Sequence, residues 1–363
     1  MSILPIAGHE EARARLAQAI RDGRFPQTML VVGPPGIGKQ RFGLHVAQLL
    51  LCEEPGPDGP CGGCLACRKV LNLAHPDLHW FVPIPRPKAG EPDKQVEEAA
   101  ESLAELMEER RQDPLWGAPD GMASHGVASA RLLLRRAVLT PVEGRWKVFL
   151  VGDAERLVPQ ESSPEAANAL LKVIEEPPAD TVFILTASDP RRLLPTIRSR
   201  TVVVRLGRLT SSEVRRFLEA HGSFRDDLEA RVALAGGSIG AALAEAGAAA
   251  RARESAEALV EAVLAGGAPP WERALRQGPW QARGEFTEML DALAELLADA
   301  ARERSGGTPR RRVPRALQAR GDANSYLAAL GRVQAAREAA QGNVNPQLLL
   351  AELSGAMEAA LCG

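Results

Sequence analysis

The chain has 363 residues, more than twice a common domain length, so two or three domains are expected. Its 45% hydrophobic and 25% charged content allows a sizeable buried core, and 44 Lys+Arg against 46 Asp+Glu gives a net charge of −2. That balance excludes a generally cationic nucleic-acid coat, and an aromatic content of 4% excludes a base-stacking platform of many rings.

No apolar stretch flanked by basic residues lies between Met1 and Glu11, so no secretory leader is expected. No segment approaches the roughly 20 consecutive apolar residues of a membrane span. A cytosolic, reducing setting is expected, with the five cysteines as metal ligands or free thiols rather than disulfides. Glu10–Arg21 reads as a helix with Ala12, Leu16, Ala19 and Ile20 on one face. Thr28–Val32 reads as a buried strand running into a glycine-rich turn. The helix after it puts Phe42, Val46, Leu49 and Leu50 on one side and stops at Cys52. A cysteine knuckle and a short helix near 69–73 follow.

Residues 83–126 differ in character. Pro83, Pro85, Pro87 and Pro92 lead into an acidic stretch in which Val96, Leu103, Leu106 and Met107 fall at helical spacing. A surface helix with flexible flanks is expected, as an insertion inside a domain. Order resumes with a helix at 131–139 and the strand Lys147–Val151. A helix at 164–176 has Ser163 as N-cap, Pro164 at its first position and Pro177-Pro178 as its stop. Strands at 182–185 and 201–206 complete a set of apolar strands separated by helices. That pattern predicts a parallel sheet covered on both faces. Beyond Thr210 only helical patterns occur, at 211–265 and 270–361. The division expected is an α/β domain at 1–207 and helical regions at 208–268 and 269–363.

Gly33-Pro34-Pro35-Gly36-Ile37-Gly38-Lys39 follows a strand and opens a helix, the context of a phosphate-binding loop. Backbone N–H groups can wrap an anion there, and Lys39 adds a point charge. Gln40 breaks the pattern, because catalytic loops place a Ser or Thr hydroxyl on Mg²⁺ at that position. The strand Lys147–Val151 should end in an Asp followed by a Glu, yet it continues Gly152-Asp153-Ala154-Glu155. In the direct register Gly152 replaces the metal-holding carboxylate; a register shifted by one would use Asp153. Without both contacts the β,γ-phosphate charge is poorly neutralised, and self-contained hydrolysis is not expected.

Cys52, Cys61, Cys64 and Cys67 are separated by eight, two and two residues. Four thiolates at this spacing can close a tetrahedral Zn²⁺ site with no open position for water, which makes it structural. Gly62 and Gly63 permit the tight turn; four reduced thiols or a redox pair is the alternative. Thr186, at the end of the 182–185 strand, either orients a water beside a γ-phosphate or caps a turn. Arg200 lies between a short helix and a strand and should project from the domain edge. It is either a surface salt-bridge partner or an arginine finger acting on a neighbouring subunit.

Together with these features, HPDLHWF at 75–81, EAANALLKVIEEPP at 165–178, LLPTIRSR at 193–200 and NVNPQL at 343–348 resemble the clamp-loader branch of the AAA+ ATPases. The resemblance covers nearly the whole chain except 83–126. It implies an AAA+ nucleotide-fold domain, a helical lid and an all-α oligomerising collar. It makes Cys52, Cys61, Cys64 and Cys67 zinc ligands. Arg200 falls on the Arg of a Ser-Arg-Cys motif, here Ser199-Arg200-Thr201, that faces the ATP site of an adjoining subunit. Active members also carry a nucleotide-contacting Arg where this chain has Gly240. Gln40, Gly152 and Gly240 thus remove three parts of one site while Arg200 persists. The implied role is a stator in a hetero-pentamer with γ/τ and δ subunits, which opens a sliding clamp and loads it on primer–template DNA. Passive ATP binding without hydrolysis stays open.

Two other functions remain. An active γ/τ-type ATPase would hydrolyse Mg²⁺-ATP as an isolated chain. A zinc-containing DNA-binding module outside any ring would use the cluster Arg310, Arg311, Arg312, Arg315 and Arg320, which otherwise reads as a solvated linker.

Overall fold

The computed structural model describes residues 3, 4, 6–57, 59–88, 90–113, 123–157, 165–221, 228–243, 246–275, 283–309, 312–319, 321–340 and 344–362. Ser163, Pro164, Arg310, Arg311, Arg320 and Asn343, to which the sequence assigns features, fall outside them, as does 114–122 of the insertion. Two compact units form: Met1–Ser223 with Gly237–Gly240, and Phe224–Gly236 with Ala241–Gly363. Residues 208–268, expected as a lid, are shared between the two.

The first unit is built on a parallel sheet of β1 (Thr28–Val32), β2 (Leu78–Phe81), β3 (Lys147–Val151), β4 (Thr181–Ala187) and β5 (Val202–Arg205) in the order β2-β3-β4-β1-β5. The three inner strands are buried at every residue, which is why they read as unbroken apolar runs rather than alternating ones. β5 is a short, mostly exposed edge. β2, the other edge, is a strand the sequence reading did not assign.

Helices α1 (Glu10–Arg21), α2 (Lys39–Leu51), α3 (Leu65–Leu71), α4 (Pro92–Gln112), α5 (Val127–Ala137), α6 (Glu165–Glu175), α7 (Pro195–Arg198) and α8 (Ser211–His221) accompany the sheet. α3 starts four residues before the position expected, because the Cys64 sulfur accepts the Cys67 N–H and caps it. α5 is likewise displaced toward the N-terminus of its expected span. In α4, Val96, Ala99 and Leu103 enter the main core while Glu97, Glu101, Glu105, Glu108 and Glu109 stay exposed. The proline-rich flank expected to be flexible is tied down: Ile84 is buried, and Ile84 and Ser124 exchange both backbone hydrogen bonds, at 3.1 and 2.9 Å.

Beyond β5 the described residues form helices only: α9 (Leu228–Ala235), α10 (Ile239–Leu243), α11 (Ala246–Ala265), α12 (Pro270–Leu275), α13 (Arg283–Arg304), α14 (Arg315–Gln318), α15 (Ala323–Ala339) and α16 (Pro346–Cys362). In the second unit α13 packs between α11 and α15, and α16 lies on α12 and α15. Leu290, Leu293, Leu297, Tyr326, Val333 and Met357 form its separate core. Among the described residues no helix is long and apolar enough to cross a membrane.

Candidate functional site

The register pairs Val32 with Ala187 and Val151 with Leu185, so the carboxyl ends of β1, β3 and β4 lie side by side. β1 sits between β4 and β5, where the strand order reverses, and ligands of open α/β sheets bind at such ends. The turn after β1 has Gly36 at φ +71° and Gly38 at φ +94°, conformations that favour glycine. Gly38 leads into α2.

The side chains at this turn are already engaged with the protein. Lys39 is buried, and its ammonium donates to the Pro34 carbonyl at 2.8 Å. Burial lowers its pKa, opposed by the nearby Glu155 and Asp153. Gln40 Nε2 donates to Asp153 Oδ2 at 2.9 Å. Gly152 makes room for this: a Cβ there would lie 2.6 Å from the Gln40 Cδ and Oε1. Asp153, in the left-handed region at φ +49°, is held by its own N–H donating to Thr186 Oγ1 at 3.1 Å. Buried Glu155 accepts the Ser188 N–H at 2.8 Å, and desolvation raises its pKa. His125, fully buried near the end of the 83–126 stretch, donates from Nε2 to the Gly152 carbonyl at 2.7 Å.

Residues 237–240 close on the same turn. Ser238 Oγ donates to the Pro35 carbonyl at 3.1 Å, and the Gly240 N–H donates to the Gly36 carbonyl at 2.9 Å. A Cβ on Gly240 would come within 2.8 Å of the Gly36 Cα, so backbone meets backbone here because both residues are glycine.

The four cysteines converge at the opposite end of α2. Cys52 follows its last turn, and Cys64 caps α3. All four sulfurs lie within 4.8 Å of one another; Cys52–Cys64 is 4.0 Å and Cys61–Cys67 is 3.9 Å. None forms a disulfide. Ligands about 2.3 Å from a tetrahedral ion are about 3.8 Å apart, so the donor set fits a Zn²⁺-sized cation. The N–H groups of Cys61, Cys64 and Cys67 each point at a cluster sulfur at 3.3 Å. The N–H groups of Cys64 and Gly63 lower the Cys61 thiol to about 7, whereas burial raises Cys52. Cys362 belongs to the second unit.

Arg200, between α7 and β5, has its side chain one-third exposed. Its Nε and Nη2 meet the two Glu175 carboxylate oxygens at 2.9 and 3.1 Å, and Nη1 donates to the Thr196 carbonyl at 3.1 Å. The sequence reading missed a further feature, the segment between α5 and β3. Val138, Leu139 and Val142 are exposed there, and buried residues fix both ends of the segment. Lys147 Nζ donates to the Arg136 carbonyl at 2.9 Å, and Asp77 accepts the N–H groups of Val142, Glu143 and Gly144 at 2.6, 2.8 and 2.7 Å. The Asp of HPDLHWF was the available signal, since one carboxylate can satisfy a whole turn.

The family described as DNA polymerase III, delta subunit, matches residues 8–210, more than half of the chain. The chain belongs to that family. The match covers most of the first unit, with its parallel sheet, and helical regions follow. The chain is 36% identical over 173 residues to DNA polymerase III subunit delta' of Pseudomonas aeruginosa, covering 48% of this chain and 40% of that one. It is 30% identical over 231 residues to the Escherichia coli delta' subunit, covering 63% and 57%. It is also 32% identical over 200 residues to the gamma/tau subunit of Mycobacterium tuberculosis, covering 55% and 28%. It therefore spans less than two thirds of the length of each of these relatives.

Proposed function

We propose that the chain is a δ′-like clamp-loader subunit of DNA polymerase III, which lends Arg200 to the ATP site of a neighbouring γ/τ subunit and hydrolyses no ATP itself. The observation that carries the reading is the filled phosphate loop. The Gln40 amide, paired with Asp153 and seated against Gly152, occupies the place where an active loop keeps a hydroxyl and a carboxylate for Mg²⁺. Gly240 gives its N–H to the loop and carries no side chain to reach a phosphate. Arg200, by contrast, stands beside the exposed strand β5, with its guanidinium partly open to solvent.

The partners that follow are γ/τ and δ subunits, a sliding clamp, and primer–template DNA reached through the assembly. The exposed apolar tip Val138–Leu139–Val142 supports a protein partner, since a rigid apolar protrusion gains by burial. Arg200 would stabilise charge developing on the neighbour's transferring phosphoryl group, an effect worth 10³–10⁵ in rate for such fingers. Cys52, Cys61, Cys64 and Cys67 would hold one Zn²⁺, whose part is to fasten the loop between α2 and α3.

A γ/τ-type ATPase is the second reading, favoured by the gamma/tau identity and by Asp153 lying beside the phosphate loop. Phosphate release separates the two. The isolated chain is expected to show none above background, and Arg200→Ala is expected to cut DNA-stimulated turnover at the neighbouring site about 10³-fold in a complex that still assembles. Sustained hydrolysis by the isolated chain would establish the second reading, and unchanged turnover with Arg200→Ala would remove the finger.

A further inference from the structure

Arg200 does not project alone. Glu175 takes its Nε and Nη2 in a bidentate pair at 2.9 and 3.1 Å, the geometry that fixes a guanidinium plane as well as its position. The Nη1 side carries one carbonyl contact, to Thr196 at 3.1 Å, and a long approach to Ser199 Oγ at 3.5 Å. The carboxylate therefore grips the Nε–Nη2 edge of the fork, and the second Nη2 N–H is left for an incoming anion.

Glu175 is also an unexpected residue at its own position. It is the last residue of α6, where the helix dipole disfavours a negative charge and where Lys or Arg would be the ordinary choice. The local helix gains nothing from it. What it gains is Arg200, twenty-five residues further along the chain and on another element. Glu175 belongs to the Glu175-Glu176-Pro177-Pro178 stretch that ends α6, and Pro177-Pro178 stops the helix so that this carboxylate faces the turn carrying the arginine.

We propose that Glu175 is a positioning residue for Arg200: it holds the guanidinium in one plane before the neighbouring subunit arrives. The inference rests on the finger reading above and adds a second residue to it. An exposed arginine otherwise samples many rotamers, and an assembly that must order it at the moment of reaction loses rate. Both partners are partly exposed, so the brace is weak enough to tilt toward a triphosphate and is no lock.

The test uses the reconstituted assembly, with ATP as substrate and primed DNA as activator. Glu175→Ala is expected to lower kcat about fivefold, the upper range for an exposed pair, with KM for ATP and complex formation unchanged. Glu175→Gln, which keeps an oxygen for one of the two bonds, should fall between. In an Arg200→Ala background, Glu175→Ala should have no further effect, since it acts only through the arginine. Wild-type kcat in Glu175→Ala beside a strong loss in Arg200→Ala overturns the positioning role and leaves the finger standing. An equal further loss in the Arg200→Ala background also overturns it, as an effect on folding or assembly. No loss in Arg200→Ala overturns both.

Discussion

The two ends of α2 carry the two ligand-binding patterns of the chain, and they differ in how much of their chemistry is already spent. At the N-terminal end, Lys39 donates a hydrogen bond to the Pro34 carbonyl, Gln40 donates to Asp153, and Ser238 and Gly240 donate to the carbonyls of Pro35 and Gly36. At the C-terminal end, four sulfurs stand within 4.8 Å with three N–H groups aimed at them and no disulfide among them. Sulfurs so placed have little to offer one another, and as thiolates they repel. A motif reports ancestry, whereas hydrogen-bond accounting reports what a site can still take up. The polar groups of the glycine-rich turn are engaged with the protein itself, whereas the four sulfurs are turned toward one another.

The contrast breaks most visibly if the cysteines prove inert. Structural zinc in small domains is worth about 10–16 kcal/mol at neutral pH, and the 52–67 loop has little core of its own. Cys64→Ser removes one thiolate while leaving a hydroxyl that can still cap α3. Zinc measured by elemental analysis should fall from one per chain to none, with the loop opened to proteolysis. A Cys64→Ser protein that keeps its zinc, or a metal-free wild type that is fully folded, would place both ends of α2 in the same category.

At the other end, acid should loosen what is packed. Burial pushes the His125 pKa down to about 4 from an ordinary 6.5, so the folded state holds the neutral ring. The unfolded chain takes up the proton first. The His125 contribution is therefore complete above about pH 6.5 and is lost as pH falls toward 4, amounting to about 3 kcal/mol there. Half-buried His45 and His79, also near 4, add to the same slope. Denaturant melts at pH 7 and 4.5 check this, and His125→Gln should flatten the difference by one proton's worth. A smaller effect tests the Gln40–Gly152 fit: Gly152→Asp should cost about 2 kcal/mol by overpacking, less once Gln40→Thr clears the space. Simple additivity of the two changes would mean that the side chains do not compete for one space.

Much of the first unit was legible because its inner strands are buried on both faces and its turns are marked by glycine and proline. Thr28–Val32 and Lys147–Val151 appear at the bounds the apolar runs suggest. β2 escaped because an edge strand of Leu78-His79-Trp80-Phe81 has half-exposed residues and no apolar run, so its strand character comes from pairing with β3. The convergence of the cysteines follows from their spacing. The use of Glu175 and Asp77 does not, since each serves a partner far along the chain, and only the folded sheet brings Arg200 and the 142–144 turn to them. Gly152 reads in sequence as a missing carboxylate; in the structure it is also the room that Gln40 needs.

Thr186 offers the finest cut between a packed loop and a working one. Its side chain is fully buried, and its hydroxyl accepts the N–H of Asp153, a residue whose φ of +49° needs support. Thr186→Val keeps the shape and leaves that N–H without an acceptor, a loss of about 1 kcal/mol in a melt. If the hydroxyl only fastens the β3 turn, the assembled complex should turn over ATP at the wild-type rate once the variant is folded. If it orients a water beside a bound γ-phosphate, the variant should lose turnover out of proportion to its stability, and the phosphate loop would have to be counted as active after all.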